Sequence, residues 1–247
     1  MSIREVLFRV SRKIQKIIIP TLRHPQDLYE QVLKGYVNPH VRWLDLGCGH
    51  HILPAWRRAE EEHLVGNSKL VVGVDCDLDS LKKHMTLHLR VCGDITQLPF
   101  KDDEFDLVTA NMVVEHLENP EVQFQEIRRV LKPRGIFLFH TPHAYGYSTL
   151  VAKCVPNRWK RKLVPLIEGR KEEDVFPTYY RANSISATKR LGEKCGFRVE
   201  EIRMLVSSAA CAVVPPLATL ELVWIRILMT RPLKPLRTNM IAILGKE

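Results

Sequence analysis

The nine residues Val41-Arg42-Trp43-Leu44-Asp45-Leu46-Gly47-Cys48-Gly49 constrain the fold of this chain more than any other stretch. They read as a short buried strand running straight into a tight glycine turn. About 26 positions after Gly49, a second apolar run, Leu70-Val71-Val72-Gly73-Val74, ends on Asp75. Strand, glycine turn, helix, strand, acid is a nucleotide-site arrangement. The glycines let the backbone pass close under a ligand, and the acid can accept both hydroxyls of a ribose.

The details select among ligands. A dinucleotide fingerprint places a third glycine three residues after the second, where a helix N-terminus meets a pyrophosphate. Here that position is Ile52. The Gly-Lys-Ser/Thr ending of a P-loop is absent. A ribose acid without a phosphate cradle suits a nucleoside without phosphates, and S-adenosylmethionine is such a ligand.

Downstream, Gly93-Asp94-Ile95 follows a short strand-like run, Leu89 to Cys92. Leu98-Pro99-Phe100-Lys101-Asp102-Asp103-Glu104-Phe105-Asp106-Leu107-Val108 comes next, then Asn111 and Glu115-His116-Leu117. Glu126 to Gly135 leads into Ile136 to His140. With these five motifs in order, the chain resembles the class I S-adenosylmethionine-dependent methyltransferases. It is most similar to the branch that methylates small molecules, lipids and sugars. The resemblance covers residues 40 to 145, with weaker agreement to about 205.

Strands expected at 41–46, 70–75, 88–92, 105–110 and 135–141 alternate with helices at 52–63, 78–86 and 120–131. A helix at 184–195 capped by Gly196, a sixth strand from Phe197 to Leu205 and a seventh from Arg237 to Leu244 complete the expectation. The fold predicted is α/β, a Rossmann-like seven-stranded methyltransferase sheet, mostly parallel with a terminal antiparallel strand, plus lid and cap insertions.

The resemblance implies a role for each strand end. Gly47 and Gly49 would pass under the methionine end of the cofactor. Asp45 would position that turn or bind the cofactor amine through water. Asp75 would take the ribose diol, with Cys76 packing on the adenine. Asp94 would accept from the adenine amino group, and the backbone N–H of Ile95 would meet a ring nitrogen. Asn111 would lie under the methionine. The family often has a further glycine two residues after the second, where this chain has His51. Each of these residues has a plainer reading as a turn or cap residue, preferred for Asp94 taken by itself, but together, in order at the strand ends, they favour the site.

Methyl transfer is an in-line displacement at an already activated carbon, so alignment dominates. An oxygen acceptor usually needs a base, whereas a basic nitrogen or a thiolate does not. His116, after the fourth strand, is the first candidate base and His143, after the fifth, the second. A packed or solvent-bonded histidine is the competing reading for both. Some relatives bind a divalent ion through Glu-x-x-Glu-His here, but the first of those positions is Met112. Two remaining ligands make a poor site, so no metal is expected. The Asn-Pro-Pro-Tyr and Asp-Pro-Pro-Tyr signatures of planar amino-group acceptors are absent.

The 247 residues allow one large α/β domain with insertions. The six cysteines form no Cys-x-x-Cys pair, which points to reduced thiols and a cytoplasmic setting. No secretory signal is read at the N-terminus. The net charge of +9 is segregated. Residues 1–24 hold six lysines and arginines against one acid, 25–152 hold 13 against 18, and 153–247 hold 18 against 9. An acidic cofactor region flanked by basic ones suggests an anionic partner on one side, against the plainer reading of a basic solvated surface.

Residues 2–19 read as a basic amphipathic helix stopped by Pro20, suited either to a membrane interface or to packing inward. The expected division is an N-terminal helical cap at 1–36 and a methyltransferase domain at 37–247, with a lid at 143–181 and an apolar insertion at 204–230. Pro215-Pro216, Glu221 and Arg226 make that insertion a poor membrane span. A cap over an apolar substrate or a surface anchor fits it better.

The leading expectation is O-methylation of a small-molecule, lipid or glycan acceptor at or near a membrane surface, with an anionic membrane surface as a candidate partner. An RNA methyltransferase using the basic segment around Arg158 to Lys162 ranks lower, because no RNA-binding module or aromatic stacking motif is visible. A non-catalytic partner that binds the cofactor, or has lost it, is the third reading. The intact acids at 75 and 94 argue against loss.

Overall fold

The computed structural model describes residues 3–154 and 177–247. The chain forms two compact units. The larger holds Gln26–Pro142, Thr178–Arg203 and Met240–Glu247, and the smaller holds the chain up to Pro25, His143–Pro177 and Met204–Asn239. Most of the expected lid, including Arg158 to Lys162, lies outside the described residues.

The larger unit is built on β1 (Arg42–Leu46), β2 (Leu70–Asp75), β3 (Leu89–Cys92), β4 (Phe105–Asn111) and β5 (Leu131–Pro142). With β6 (Phe197–Leu205) and β7 (Asn239–Lys246) they form one seven-stranded sheet in the order β3-β2-β1-β4-β5-β7-β6. β1 pairs in parallel with β2 and β4, β2 with β3, and β4 with β5. The terminal strand is antiparallel, as in methyltransferase folds. The order reverses between β1 and β4, and a parallel sheet opens its ligand crevice beyond the strand ends at such a point.

Parallel strands covered on both faces read as continuous apolar runs, and these do. Trp43, Leu44, Leu46, Val108, Phe137 and Phe139 are all buried. The helix α5 (Pro120–Val130) turns Phe124, Ile127 and Val130 inward. Phe124 meets Phe137 edge-on at 5.3 Å and Phe197 at 6.3 Å, and edge-to-face aromatic pairs add to simple burial.

Two helix boundaries differ from the periodicity reading. The expected helix at 52–63 is shorter: α3 runs Arg58–Gly66, after a one-turn 3₁₀ helix at Ala55–Arg57. Ile52 and Leu53 are buried ahead of Pro54, and the Leu53 N–H donates to Glu61 Oε2 at 2.8 Å. Apolar residues held by an inward carboxylate mimic a helix start in sequence. The helix expected at 78–86 is α4, Leu78–Lys83. It stops where His84 Nδ1 accepts from the N–H groups of Thr86 (3.4 Å) and Leu87 (3.3 Å), which turns the chain away.

α2 (Pro25–Lys34) joins the larger unit from Gln26 on, and α7 (Ile185–Lys194) starts where the Ser184 hydroxyl accepts from Ala187 N–H.

The smaller unit contains α1 (Ile3–Ile18), α6 (Tyr147–Cys154) and α8 (Pro215–Leu228). Its core gathers Ile19, Val206, Leu222, Ile225 and Leu228, with Ile14 and Ile18 of α1 against them. The two prolines that interrupt the apolar run open α8, where a missing N–H costs nothing. Glu221 accepts from the Tyr147 hydroxyl at 2.8 Å and from the N–H groups of Ala210 and Cys211. Among the described residues, no helix is long and apolar enough to cross a membrane.

Candidate functional site

The β1 turn and the end of β2 are tied directly. Gly49 N–H donates to Asp75 Oδ2 at 2.8 Å, and Asp77 N–H donates to Asp75 Oδ1 at 2.8 Å. Both carboxylate oxygens therefore hold backbone, and each keeps a second lone pair. Gly47 N–H donates to Val74 O at 2.7 Å, which fastens the same turn to β2.

The two glycines serve different ends. Both have positive φ, +65° and +51°, where an L side chain is strained. A Cβ on Gly47 would lie 2.4 Å from Val113 Cγ2, so the missing side chain lets the segment after β4 pack on the turn. A Cβ on Gly49 would meet nothing within 4 Å. The backbone there borders open space that a side chain would enter, which is the cradle a ligand approaching the turn requires.

Asp45 lies beneath this turn rather than in it. It is 2% exposed and accepts a hydrogen bond from the Thr109 hydroxyl, which itself accepts from Trp43 Nε1 at 2.6 Å. Burial, followed by the nearby charges of Glu61 and Asp75, holds the Asp45 carboxyl well above the usual range. Of its two expected roles, positioning the turn is the one this geometry supports.

Asn111 is also engaged. Its Nδ2 donates to Gln26 Oε1 at 2.9 Å, and its Oδ1 accepts from Gln26 Nε2 and from His140 Nδ1 (2.9 Å). A carboxamide oxygen only accepts, so His140 carries its proton on Nδ1. The next residue, Met112, has φ +61°, a left-handed conformation that a non-glycine residue adopts rarely. It turns the chain sharply and delivers Val113 to Gly47.

Past β3, Asp94 is exposed, and its Oδ1 accepts from Thr96 N–H at 2.8 Å. It therefore acts as a turn cap. Cys76 is exposed and Ile95 half-buried.

His116 closes a 3₁₀ turn at Val114–His116, its side chain 31% exposed, with Nε2 4.0 Å from Glu115 Oε1. Glu115 is buried, and its Oε2 accepts from the Thr141 hydroxyl at 2.8 Å. Thr141 in turn accepts from Asn183 Nδ2. A half-exposed imidazole beside a fixed carboxylate is suited to taking a proton. His143 belongs to the smaller unit, where its Nδ1 donates to Arg237 O at 3.1 Å. Burial lowers its pKa. The sequence reading missed Thr109, Gln26, Thr141 and Asn183. Only Thr109 had a signal, as a polar residue two before Asn111 in a buried strand.

Among the described residues no group of three or more His, Cys, Asp or Glu could hold a metal ion.

Residues 44–139 match a family model described as a methyltransferase domain. The chain carries a class I methyltransferase domain. S-adenosylmethionine is the cofactor that this family and fold imply. The domain is 33% identical over 116 residues to a malonyl-[acyl-carrier protein] O-methyltransferase of Erwinia billingiae, covering 46% of this chain and 43% of that protein. It is 35% identical over 112 residues to a demethylmenaquinone methyltransferase of Staphylococcus carnosus, covering 43% of each. The chain thus spans less than half the length of these curated relatives. In fold, the chain resembles an S-adenosylmethionine-dependent methyltransferase from Mesorhizobium loti (TM-score 0.53, 18% identity, 87% of this chain and 96% of that one). It also resembles a chain of a Haloferax volcanii complex between a methyltransferase and its activator (TM-score 0.61, 17% identity, 99% and 97%).

Proposed function

We propose that this protein transfers a methyl group from S-adenosylmethionine to an oxygen of a small-molecule, lipid or glycan acceptor, at or near a membrane surface. The observation that carries the reading is the turn in which Gly49, facing open space, is bonded to Asp75. Names of relatives add direction: one names malonyl-[acyl-carrier protein] as acceptor, and another, from Xenopus laevis, a polyprenyl benzoquinol.

The cofactor supplies an electrophilic methyl group. The residues would hold and orient. The outward lone pairs of Asp75 would accept the ribose hydroxyls, while its inward ones keep the turn closed. The Gly47 and Gly49 backbone would border the methionine end. Asp94 and the Ile95 N–H would meet the adenine edge, with Cys76 against its face. Asp45 and Asn111 would act from below as fixed supports. His116 would take the proton of an acceptor hydroxyl, with Glu115 stabilising the imidazolium that results. His143 is the second candidate base, because its Nε2 is the acceptor nitrogen.

Two measurements test this. Calorimetry with S-adenosylhomocysteine should show binding. Tritiated methyl transfer into fractionated extract should then place label in the lipid, glycan or small-molecule fraction. Label confined to RNA, or to protein other than a carrier-bound acyl group, would overturn the acceptor class, and no cofactor binding would overturn the enzyme.

A further inference from the structure

α8 is apolar on both sides. One side, Ala218, Leu222, Ile225 and Leu228, is buried in the core of the smaller unit. The other, Leu217, Leu220, Val223, Trp224 and Ile227, is exposed, Leu220 by 69%. A helix hydrophobic all round is at home in a core or a lipid interface. α1 lies alongside in the same sense. The Ser11 hydroxyl donates to Ala212 O at 2.7 Å near one end, and Arg226 Nη1 donates to Ile18 O at 3.1 Å near the other. α1 exposes a stripe of its own, Val6, Val10 and Ile17, the last by 80%.

Charge accompanies this apolar surface. Arg9, Arg12, Lys13 and Lys16 are exposed on α1, and Arg226, Arg231 and Lys234 on and after α8. In sequence, the smaller unit holds 17 lysines and arginines against 6 acids, and the larger 20 against 22. A second copy would bring the same cations to the contact. Residues 155–176, with six cations against four acids, are also net basic and offer no complement. An anionic bilayer offers both an apolar interior for the stripes and negative headgroups for the flanking cations.

We propose that the exposed stripes of α1 and α8 are a docking surface for an anionic lipid bilayer, lying on it without crossing it. This deepens the membrane element of the function proposed above by naming the surface, and it rests on that reading only for the location of the acceptor.

The test is flotation of the full chain with phosphatidylcholine vesicles, with and without phosphatidylglycerol. Binding is expected to the anionic vesicles alone and to fall at least tenfold at high salt. Leu220→Gln/Trp224→Gln changes only exposed positions and should reduce partitioning about tenfold. Lys13→Glu/Lys16→Glu should do the same at low salt. Brominated lipid should quench Trp224 emission in the wild type and lose that part in the Trp224 variant. Absence of flotation at low salt, or flotation indifferent to both variants, would overturn the proposal. So would a dimer in sedimentation velocity that Leu220→Gln/Trp224→Gln dissolves, which would assign the face to a second copy. Tight binding to a soluble polyanion with none to vesicles would also overturn it. S-adenosylhomocysteine affinity, measured on the same samples, should be equal in all variants. Its absence in the wild type would sink the methyltransferase reading and leave the vesicle result standing.

Discussion

The backbone N–H of Gly49 donates to the Asp75 carboxylate at 2.8 Å, across 26 residues of sequence. One side chain thereby closes the turn after β1 and presents its outer lone pairs at the end of β2. Asp75→Ala should weaken S-adenosylhomocysteine binding by about 2–3 kcal/mol, through lost charge-assisted bonds. Repeating the calorimetry with a ligand lacking the ribose diol separates the two roles. If Asp75 binds the diol, the substitution costs much less with the deoxygenated ligand. Equal losses with both ligands would reduce Asp75 to a loop anchor.

Gly47 and Gly49 should fail differently when changed to alanine. Each carries the left-handed strain of about 1–2 kcal/mol. Gly47→Ala also drives its Cβ into Val113, so its unfolding midpoint should fall further. Gly49→Ala meets open space, so its stability loss should stop near the strain value while cofactor affinity falls at least tenfold. Denaturant titration and calorimetry on the pair check this, and the same pattern in both variants would contradict it.

These features were legible in the sequence because backbone geometry imposes them. A glycine turn after a buried strand, and an acid ending the next strand, leave few alternatives. The supports beneath were not legible, since their partners are remote. Trp43 meets Thr109 66 residues on, Asn111 meets Gln26 85 residues back, and Asn183 reaches Thr141 over 42 residues. Pro54 disfavours a helical Leu53, but nothing local in residues 51–54 announces that the Glu61 carboxylate will hold its N–H.

Asp45 should give stability an unusual pH slope. Burial raises its carboxyl well above the usual range, so the folded state keeps a proton that the unfolded chain releases near pH 4. Above that pH the folded state binds more protons, and stability falls as pH rises toward the raised value. Asp45→Asn keeps an oxygen for the Thr109 hydroxyl and removes the titration. The difference in unfolding free energy, wild type minus Asp45→Asn, should decline with rising pH from about 4 upward. Parallel curves would show that Asp45 ionises at its ordinary value.

With Met112 at the first position of the motif that binds a divalent ion in some relatives, methyl transfer should persist in EDTA. Loss of turnover that magnesium or zinc restores would show that Glu115 and His116 recruit a third ligand.

His116 and Glu115 should separate by kinetics. His116 is half-exposed beside a carboxylate that Thr141 fixes from behind. If His116 takes the acceptor's proton, His116→Asn should lower kcat by about 100-fold or more, the usual worth of a general base. Cofactor affinity should hardly change, because the residues proposed to hold the cofactor are those at the strand ends. Glu115→Gln keeps an acceptor for Thr141 but removes the charge facing the imidazole. Its kcat should fall less than that of His116→Asn, with the unfolding midpoint close to wild type. A buried Glu115 that mattered only to folding would instead lower the unfolding midpoint and leave the kcat of the remaining folded enzyme unchanged. An acceptor that reacts through a thiolate or a basic nitrogen would leave His116→Asn near wild-type turnover, and that result would move the methyl group away from oxygen.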